Sequence, residues 1–164
     1  MARRVKDTDK GWKGLKRRIE IAAKGAHVEV GLLGEDATKA HRPEDGSEAS
    51  GITIGEIGEI HEFGLGNNPI RSWLRGYVDP NNAKIREKVR RLEQEVLKGR
   101  MTVEQAMATL GANIAGGIKK RIAEGIQPQV TAATQRRKGP NKTTPLINSG
   151  QFRGSISFKV EPGA

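Results

Sequence analysis

Residues 145–160 read P-L-I-N-S-G-Q-F-R-G-S-I-S-F-K-V, and their patterning decides the fold class. Pro145 restricts the start of the stretch, and Asn148-Ser149-Gly150 supplies turn or helix-cap chemistry. From Ser155 onward, Ile156, Phe158 and Val160 alternate with Ser157 and Lys159, the period of a half-buried strand. A second alternating run lies far upstream, near 26–33, where Ala26, Val28, Val30 and Leu32 oppose His27 and Glu29. Two such strands, separated by helical sequence, predict an α+β domain in which both join one small antiparallel sheet.

The intervening sequence predicts about four helices. Lys10 to Lys24 reads as a basic amphipathic helix with Trp12, Leu15, Ile19 and Ala22/Ala23 on one stripe, stopped by Gly25. From Ile52 to Phe63, Ile57, Ile60 and Phe63 recur every three residues, with Glu56, Glu59 and Glu62 on the adjoining face; Gly64 closes the helix. Ile70 to Val78 is compact and apolar, and its type stays open. Asp79-Pro80 reads as a cap and first-turn proline for a helix to about Lys98, with Ile85, Val89, Leu92 and Val96 inward. Thr102 and Gln105 form a capping-box pattern opening a helix with Val103, Met107, Leu110, Ile114, Ile118 and Ile122 inward, ending near Gly125. The short connection predicts that these two long helices pack antiparallel. Residues 34–50 and 127–144 read as polar, mobile loops. The organisation is thus a basic N-terminal helix over 1–25 and a single α+β domain over 26–164.

The length of 164 residues fits one domain with a real core. No run approaches a membrane span, and no apolar segment follows the basic start as a signal peptide requires, so no membrane partner is expected. Cysteine is absent, which removes disulfides and thiolate metal sites and fits cytoplasmic synthesis. The net charge of +10 is segregated. Residues 1–25 carry nine basic side chains against three acidic, whereas 26–79 carry four against ten. Opposed charge of this kind suits a subunit whose one face meets a different face of a neighbour; the alternative is solvated surface without a pairing role.

Chemistry is sparse. His61-Glu62 begins a zinc-protease pattern, but Leu65 stands where the second histidine belongs. His27 and His41 show no ligand spacing, so no metal is expected. Glu56, Glu59 and Glu62 read as a solvated or subunit-facing ridge in preference to an acid–base cluster. Gly64-Leu65-Gly66 lacks the third glycine of a dinucleotide loop, and neither a phosphate-binding loop nor a nucleophile elbow occurs. The chain reads as a non-enzyme without cofactors. Arg136, Arg137, Lys138 and Lys142 are candidates for contact with a partner protein or with DNA.

Two segments together resemble a family of tailed-phage structural proteins, the small neck and tail-completion proteins encoded among head–tail genes. The first is I-G-E-I-H-E-F-G-L-G-N-N-P-I-R-S-W-L-R, Ile57 to Arg75. Ile60, His61, Glu62, Phe63 and Gly64 match the family's turn, and Pro69, Arg71 and Leu74 its following P-x-R-P-F-[LF]. Ser72 stands where proline is usual, and Trp73 where phenylalanine is. The second is T-Q-R-R-K-G with P-L-I-N-S-G-Q-F-R-G-S-I, from Thr134 to Ile156, with Asn148 in place of the usual aspartate and Phe152 in place of leucine. The ordered set spans about residues 26–160.

The resemblance implies a virion structural protein, ring-forming, assembled in the host bacterial cytoplasm with tail-tube, connector or other neck proteins, and in non-specific contact with passing DNA. The fold and interface candidates are Glu62, Phe63, Gly64, Pro69, Arg71 and Trp73 in the first segment, with Pro145, Leu146 and Gly150 in the second. Arg71 is expected to pair with a carboxylate, of the same chain or of a neighbour. The alternative is a sequence-independent nucleic-acid-binding protein using the basic helix and the 136–142 cluster.

Overall fold

The computed structural model describes residues 11–42, 51–138, 145–147 and 150–163. The elements follow in the order α1 (Trp12–Lys24), β1 (Ala26–Leu32), α2 (Gly34–Thr38), α3 (Ile54–Phe63), α4 (Arg75–Leu97), α5 (Val103–Glu124), α6 (Ala132–Lys138), α7 (Gln151–Ser155) and β2 (Ile156–Pro162). The two strands pair antiparallel, from Ala26 opposite Pro162 to Leu32 opposite Ile156. The fold is α+β, a two-stranded sheet packed against helices, as the two alternating runs predict.

One face of the sheet rests on α5, whose buried residues Ala106, Leu110, Gly111, Ala115, Ile118 and Ile122 follow the helical period. Toward the start of α5, Leu110 and Ala106 join Leu92 and Val96 of α4. Toward its end, Ile118 and Ile122 join Ile54, Trp73, Leu146, Phe152 and Ile156. The helices α4 and α5 therefore run antiparallel, with a cluster at each end of the pair. Thr102 and Gln105 form the expected reciprocal cap of α5. The equivalent box at α3, Thr53 with Glu56, is also present.

The close approach of α5 to the sheet is made possible by Gly111. A Cβ there would lie 2.6 Å from the Phe158 ring and 2.7 Å from a Val28 methyl. Gly116, on the same helix, has open space where its Cβ would be. Alanine is worth about 1 kcal/mol more than glycine within a helix, so Gly116→Ala is expected to stabilise. Gly111→Ala gains the same propensity but overpacks the helix–sheet contact at a cost of about 1–3 kcal/mol. Urea unfolding should show the two substitutions moving the midpoint in opposite directions.

Several boundaries differ from the reading of the sequence. The helix assigned a start at Pro80 begins five residues earlier, at Arg75, with Pro80 inside it. Its first N–H groups are capped by Glu62 of α3, at Leu74 and Arg75, and by the hydroxyl of Ser72, at Gly76. The stretch 34–38, read as loop, forms α2, and the edge that follows is fixed by tertiary contacts. His41 N–H donates to the Ile52 carbonyl (2.9 Å) and Ile54 N–H to that of Lys39 (2.9 Å). The Gln151 side chain donates to the Ala40 carbonyl and accepts from Arg42 N–H. Residues 132–138, also read as loop, form α6, with the Thr131 hydroxyl accepting from Thr134 N–H. Of the two expected loops, 127–131 remains non-helical, and 43–50 and 139–144 lie outside the described residues. A further short helix, α7, precedes β2 and buries Phe152 and Ser155.

Helix α1 sits at the far end of α4. Arg18 Nε donates to the Leu97 carbonyl at 3.1 Å, and Gly99 lies against the same guanidinium. The apolar stripe expected on α1 is only partly covered: Leu15 is half-buried, while Trp12 is 66% exposed and Ile19 46%. No helix among the described residues is long and apolar enough to cross a membrane.

Candidate functional site

The turn between α3 and α4 gathers most of the residues singled out by the first segment. Along α3 the buried positions are Ile54, Gly58 and Glu62, at spacings of four. Glu56, Glu59 and Phe63 take the outward face. This corrects the reading of Glu62 as part of a solvated or subunit-facing ridge, since Glu62 is 4% exposed; of the Ile57, Ile60 and Phe63 stripe, Ile57 packs against the core and Phe63 is 53% exposed. The burial of Glu62 has a physical reason. The start of α4 needs acceptors for its N–H groups, and Glu62 is the side chain that supplies them.

The Glu62 carboxylate accepts from four donors. One oxygen receives Ser72 Oγ at 2.7 Å, Arg75 N–H at 3.1 Å and Arg75 Nε at 2.9 Å. The other receives Leu74 N–H at 2.9 Å. The Ser72 hydroxyl in turn accepts from Gly76 N–H at 2.9 Å. Burial by itself would raise the Glu62 carboxyl, but the bonds from Leu74, Ser72 and Arg75 outweigh it and hold the group below the ordinary carboxylate value. A carboxylate whose lone pairs are engaged in this way is a helix cap built from another helix. It is poorly placed to exchange protons with a substrate.

Arg71 is also buried, at 5% exposure. Its recorded side-chain partners are the Pro128 carbonyl (Nε, 2.6 Å), the Gln129 carbonyl (Nη2, 3.1 Å) and His61 Nδ1 (3.4 Å). Within the chain, and among the described residues, these are two backbone carbonyls and an imidazole in place of a carboxylate of the same chain. The planar guanidinium suits this arrangement, because it fastens the segment after α5 to the turn through two donors at once. The carboxylate pairing goes to Arg75, which also covers the Phe63 ring with its guanidinium 4.9 Å from the centroid.

Gly64 takes the left-handed conformation (φ 69°) that ends α3. A Cβ there would lie 2.6 Å from Ile70, so the loop of Leu65 to Pro69 closes back tightly on the helix end. Pro69 is exposed. The consequence is an apolar rim on the surface: Phe63, Leu65 (48% exposed) and Ile70 (60%) stand together around the turn.

Trp73 points the other way, into the core. Its Nε1–H donates to the Gly58 carbonyl at 3.0 Å, and its ring meets that of Phe152 edge-on, centroids 5.2 Å apart. Leu146 and Pro145 are buried in the same region, Leu146 with a φ of 62° that few non-glycine residues adopt. Gly150, left-handed at φ 74°, precedes α7 and so sets the angle at which Phe152 enters. Trp73, from the turn between α3 and α4, and Phe152, from α7, thus meet at the centre of one joint.

Arg136 lies exposed on α6. Arg137 and Lys138 belong to the same helix, and Lys142 lies outside the described residues. On the outer face of the sheet, the strand register assembles a group no linear spacing announces: His27, Glu29 and Glu161 hold donor atoms within 4.8 Å of one another. Lys159 Nζ, at 2.5 Å from Glu161, already supplies the positive charge there. Comparison with protein-family models, with curated protein sequences and with solved structures returns no match to the chain.

Proposed function

We propose that the chain is a non-catalytic assembly protein of a tailed-phage virion, a ring-forming neck or tail-completion subunit at the head–tail junction or the head-proximal end of the tail. The observation that carries this reading is the joint just described. Two segments some eighty residues apart, each resembling that family, meet at Trp73 and Phe152, and the turn between α3 and α4 presents its apolar rim outward. A rim of that kind on an otherwise strongly charged chain marks a protein contact. The commitment of Glu62 to capping α4 fits a docking element better than a site of proton transfer.

The test is mass spectrometry of purified virions together with native mass spectrometry of the protein mixed with tail-tube or connector proteins. The reading expects the chain in the particle and a ring-sized homo-oligomer in the mixture. Absence from both would overturn it. The exposed Arg136 on α6 favours a second reading, sequence-independent nucleic-acid binding. That reading expects DNA affinity of the isolated chain to fall steeply with salt and to weaken uniformly across sequences when Arg136, Arg137, Lys138 and Lys142 are neutralised.

A further inference from the structure

We infer that one copy of this chain docks on the next head to tail, the exposed stripe of α1 seating on the outward face of α3 and its apolar rim. The inference builds on the ring-forming reading and assigns it a contact. Trp12, Lys16, Ile19 and Ala23 recur at spacings of four, three and four, so they share one face of α1. Trp12 and Ile19 are exposed on it, and Arg17 and Lys13 flank it. On α3, Glu56, Glu59 and Phe63 recur at three and four and are all exposed, leading to Leu65 and Ile70.

Each surface therefore offers two or more large apolar side chains beside charges, and the charges are opposite. Helix α1 carries five basic side chains and one acidic, whereas the outward face of α3 carries Glu56 and Glu59 and no lysine or arginine of its own; Arg75, which reaches this face over the Phe63 ring, is paired with the buried Glu62. The carboxyl of Glu56 is held below its ordinary value by the N–H and hydroxyl of Thr53, so it stays negative while it caps its own helix. The lengths also match: 13 residues of α1 and 10 residues of α3 span about 20 and 15 Å at 1.5 Å per residue.

The two surfaces cannot meet within one chain. Helix α1 is fastened at the last turn of α4 through Arg18 and Leu97, and α3 is fastened at its first turn through Glu62 and Arg75. Helix α4 has 23 residues, which separates them by about 34 Å. Two complementary patches at opposite ends make a heterologous contact, which propagates from copy to copy until it closes.

The chain lacks cysteine, so engineered pairs report cleanly. Oxidation of the Ile19→Cys, Leu65→Cys double variant is expected to give a ladder of covalent oligomers, or a closed one. An equimolar, mass-tagged mixture of the two single variants is expected to give dimers with one of each, and each alone to stay monomeric. Lys16→Glu with Arg17→Glu should lower the yield, and Glu59→Lys on the partner chain should restore it. No ladder from the double variant, or self-dimers from either single variant at equal yield, would overturn the contact. A ladder from a chain absent from virions would instead overturn the virion reading and leave this contact standing. A ring in the virion without the crosslink would overturn the contact alone.

Discussion

Replacing Glu62 by alanine is expected to lower the free energy of unfolding by about 3 kcal/mol, measured as a shift in the urea midpoint at constant slope. Breaking a fully buried ion pair costs about 3–5 kcal/mol. Here only one partner is buried, since the Arg75 side chain is half exposed and water can reach it once the carboxylate is gone. What water cannot easily replace are the backbone bonds. The N–H groups of Leu74 and Arg75 and the Ser72 hydroxyl would face an apolar methyl in a closed turn. Losing an ordinary helix cap costs about 0.5–2 kcal/mol, and here several donors lose one shared acceptor. Glu62→Gln keeps the shape but turns one acceptor oxygen into a donor amide, opposing either Leu74 N–H or the Ser72–Arg75 pair. It should recover part of the loss only. Glu59→Ala, one turn earlier on the outward face, should leave the midpoint unchanged within error.

The same carboxylate ties stability to pH. Its folded value is depressed below the unfolded one, so its contribution is fully present above about pH 4.3, the ordinary glutamate value. It is lost as pH falls through the lower, folded value, because the protonated acid no longer accepts from four donors. Wild-type stability is expected to decline on acidification through this range, and Glu62→Gln should flatten that decline. A decline of equal steepness in the variant would place the acid sensitivity in other carboxylates.

The burial of Glu62 on α3 shows where the sequence could be read and where it could not. Periodicity places the helix within Ile52 to Phe63 and glycine chemistry its Gly64 stop, because those signals are local; the Thr53–Glu56 capping box that opens it is seen in the structure. Periodicity also places the pairing of the two strands, since alternation in two distant runs has few other solutions. Which face of α3 turns inward was not local. Ile57, Ile60 and Phe63 outweigh Gly58 and Glu62 in hydrophobicity, yet Gly58 is buried because its missing Cβ lets Leu32 and Trp73 approach. Glu62 is buried because Leu74, at the start of α4, offers no capping side chain and the Leu74 and Arg75 N–H groups require an acceptor. The start of α4 precedes the Asp79-Pro80 signal because the acceptor for the Leu74 and Arg75 N–H groups lies in α3, with Ser72 serving Gly76 N–H. For Arg71, residue type foretold a charged partner, but the two carbonyls it holds come from a segment fifty-seven residues onward. The pairing of His27 with Glu161 likewise exists only once the register is known.

Trp73→Ala is expected to cost about 3–5 kcal/mol, the range for removing a buried aromatic side chain, and its value lies in what it shares with Phe152. Trp73 is 5% exposed and touches three elements: Gly58 of α3 through its indole N–H, Phe152 of α7 through its ring, and the Ile118–Ile122 end of α5 through the common core. Trp73→Phe keeps an aromatic face toward Phe152 and loses only the hydrogen bond and part of the volume, so it should cost less than half as much. A double-mutant cycle between Trp73→Ala and Phe152→Ala should return a coupling of about 0.5–1.5 kcal/mol, the excess that an edge-on aromatic pair contributes beyond buried area. That coupling is the energetic form of the joint between the two segments. If the two substitutions were strictly additive, the segments would be neighbours without cooperation, and the turn would have to hold its shape through Glu62 and Arg71 alone. A measured coupling would mean that the 145–156 segment, by fixing Phe152 against Trp73, also fixes the angle at which Phe63, Leu65 and Ile70 are offered to a neighbour.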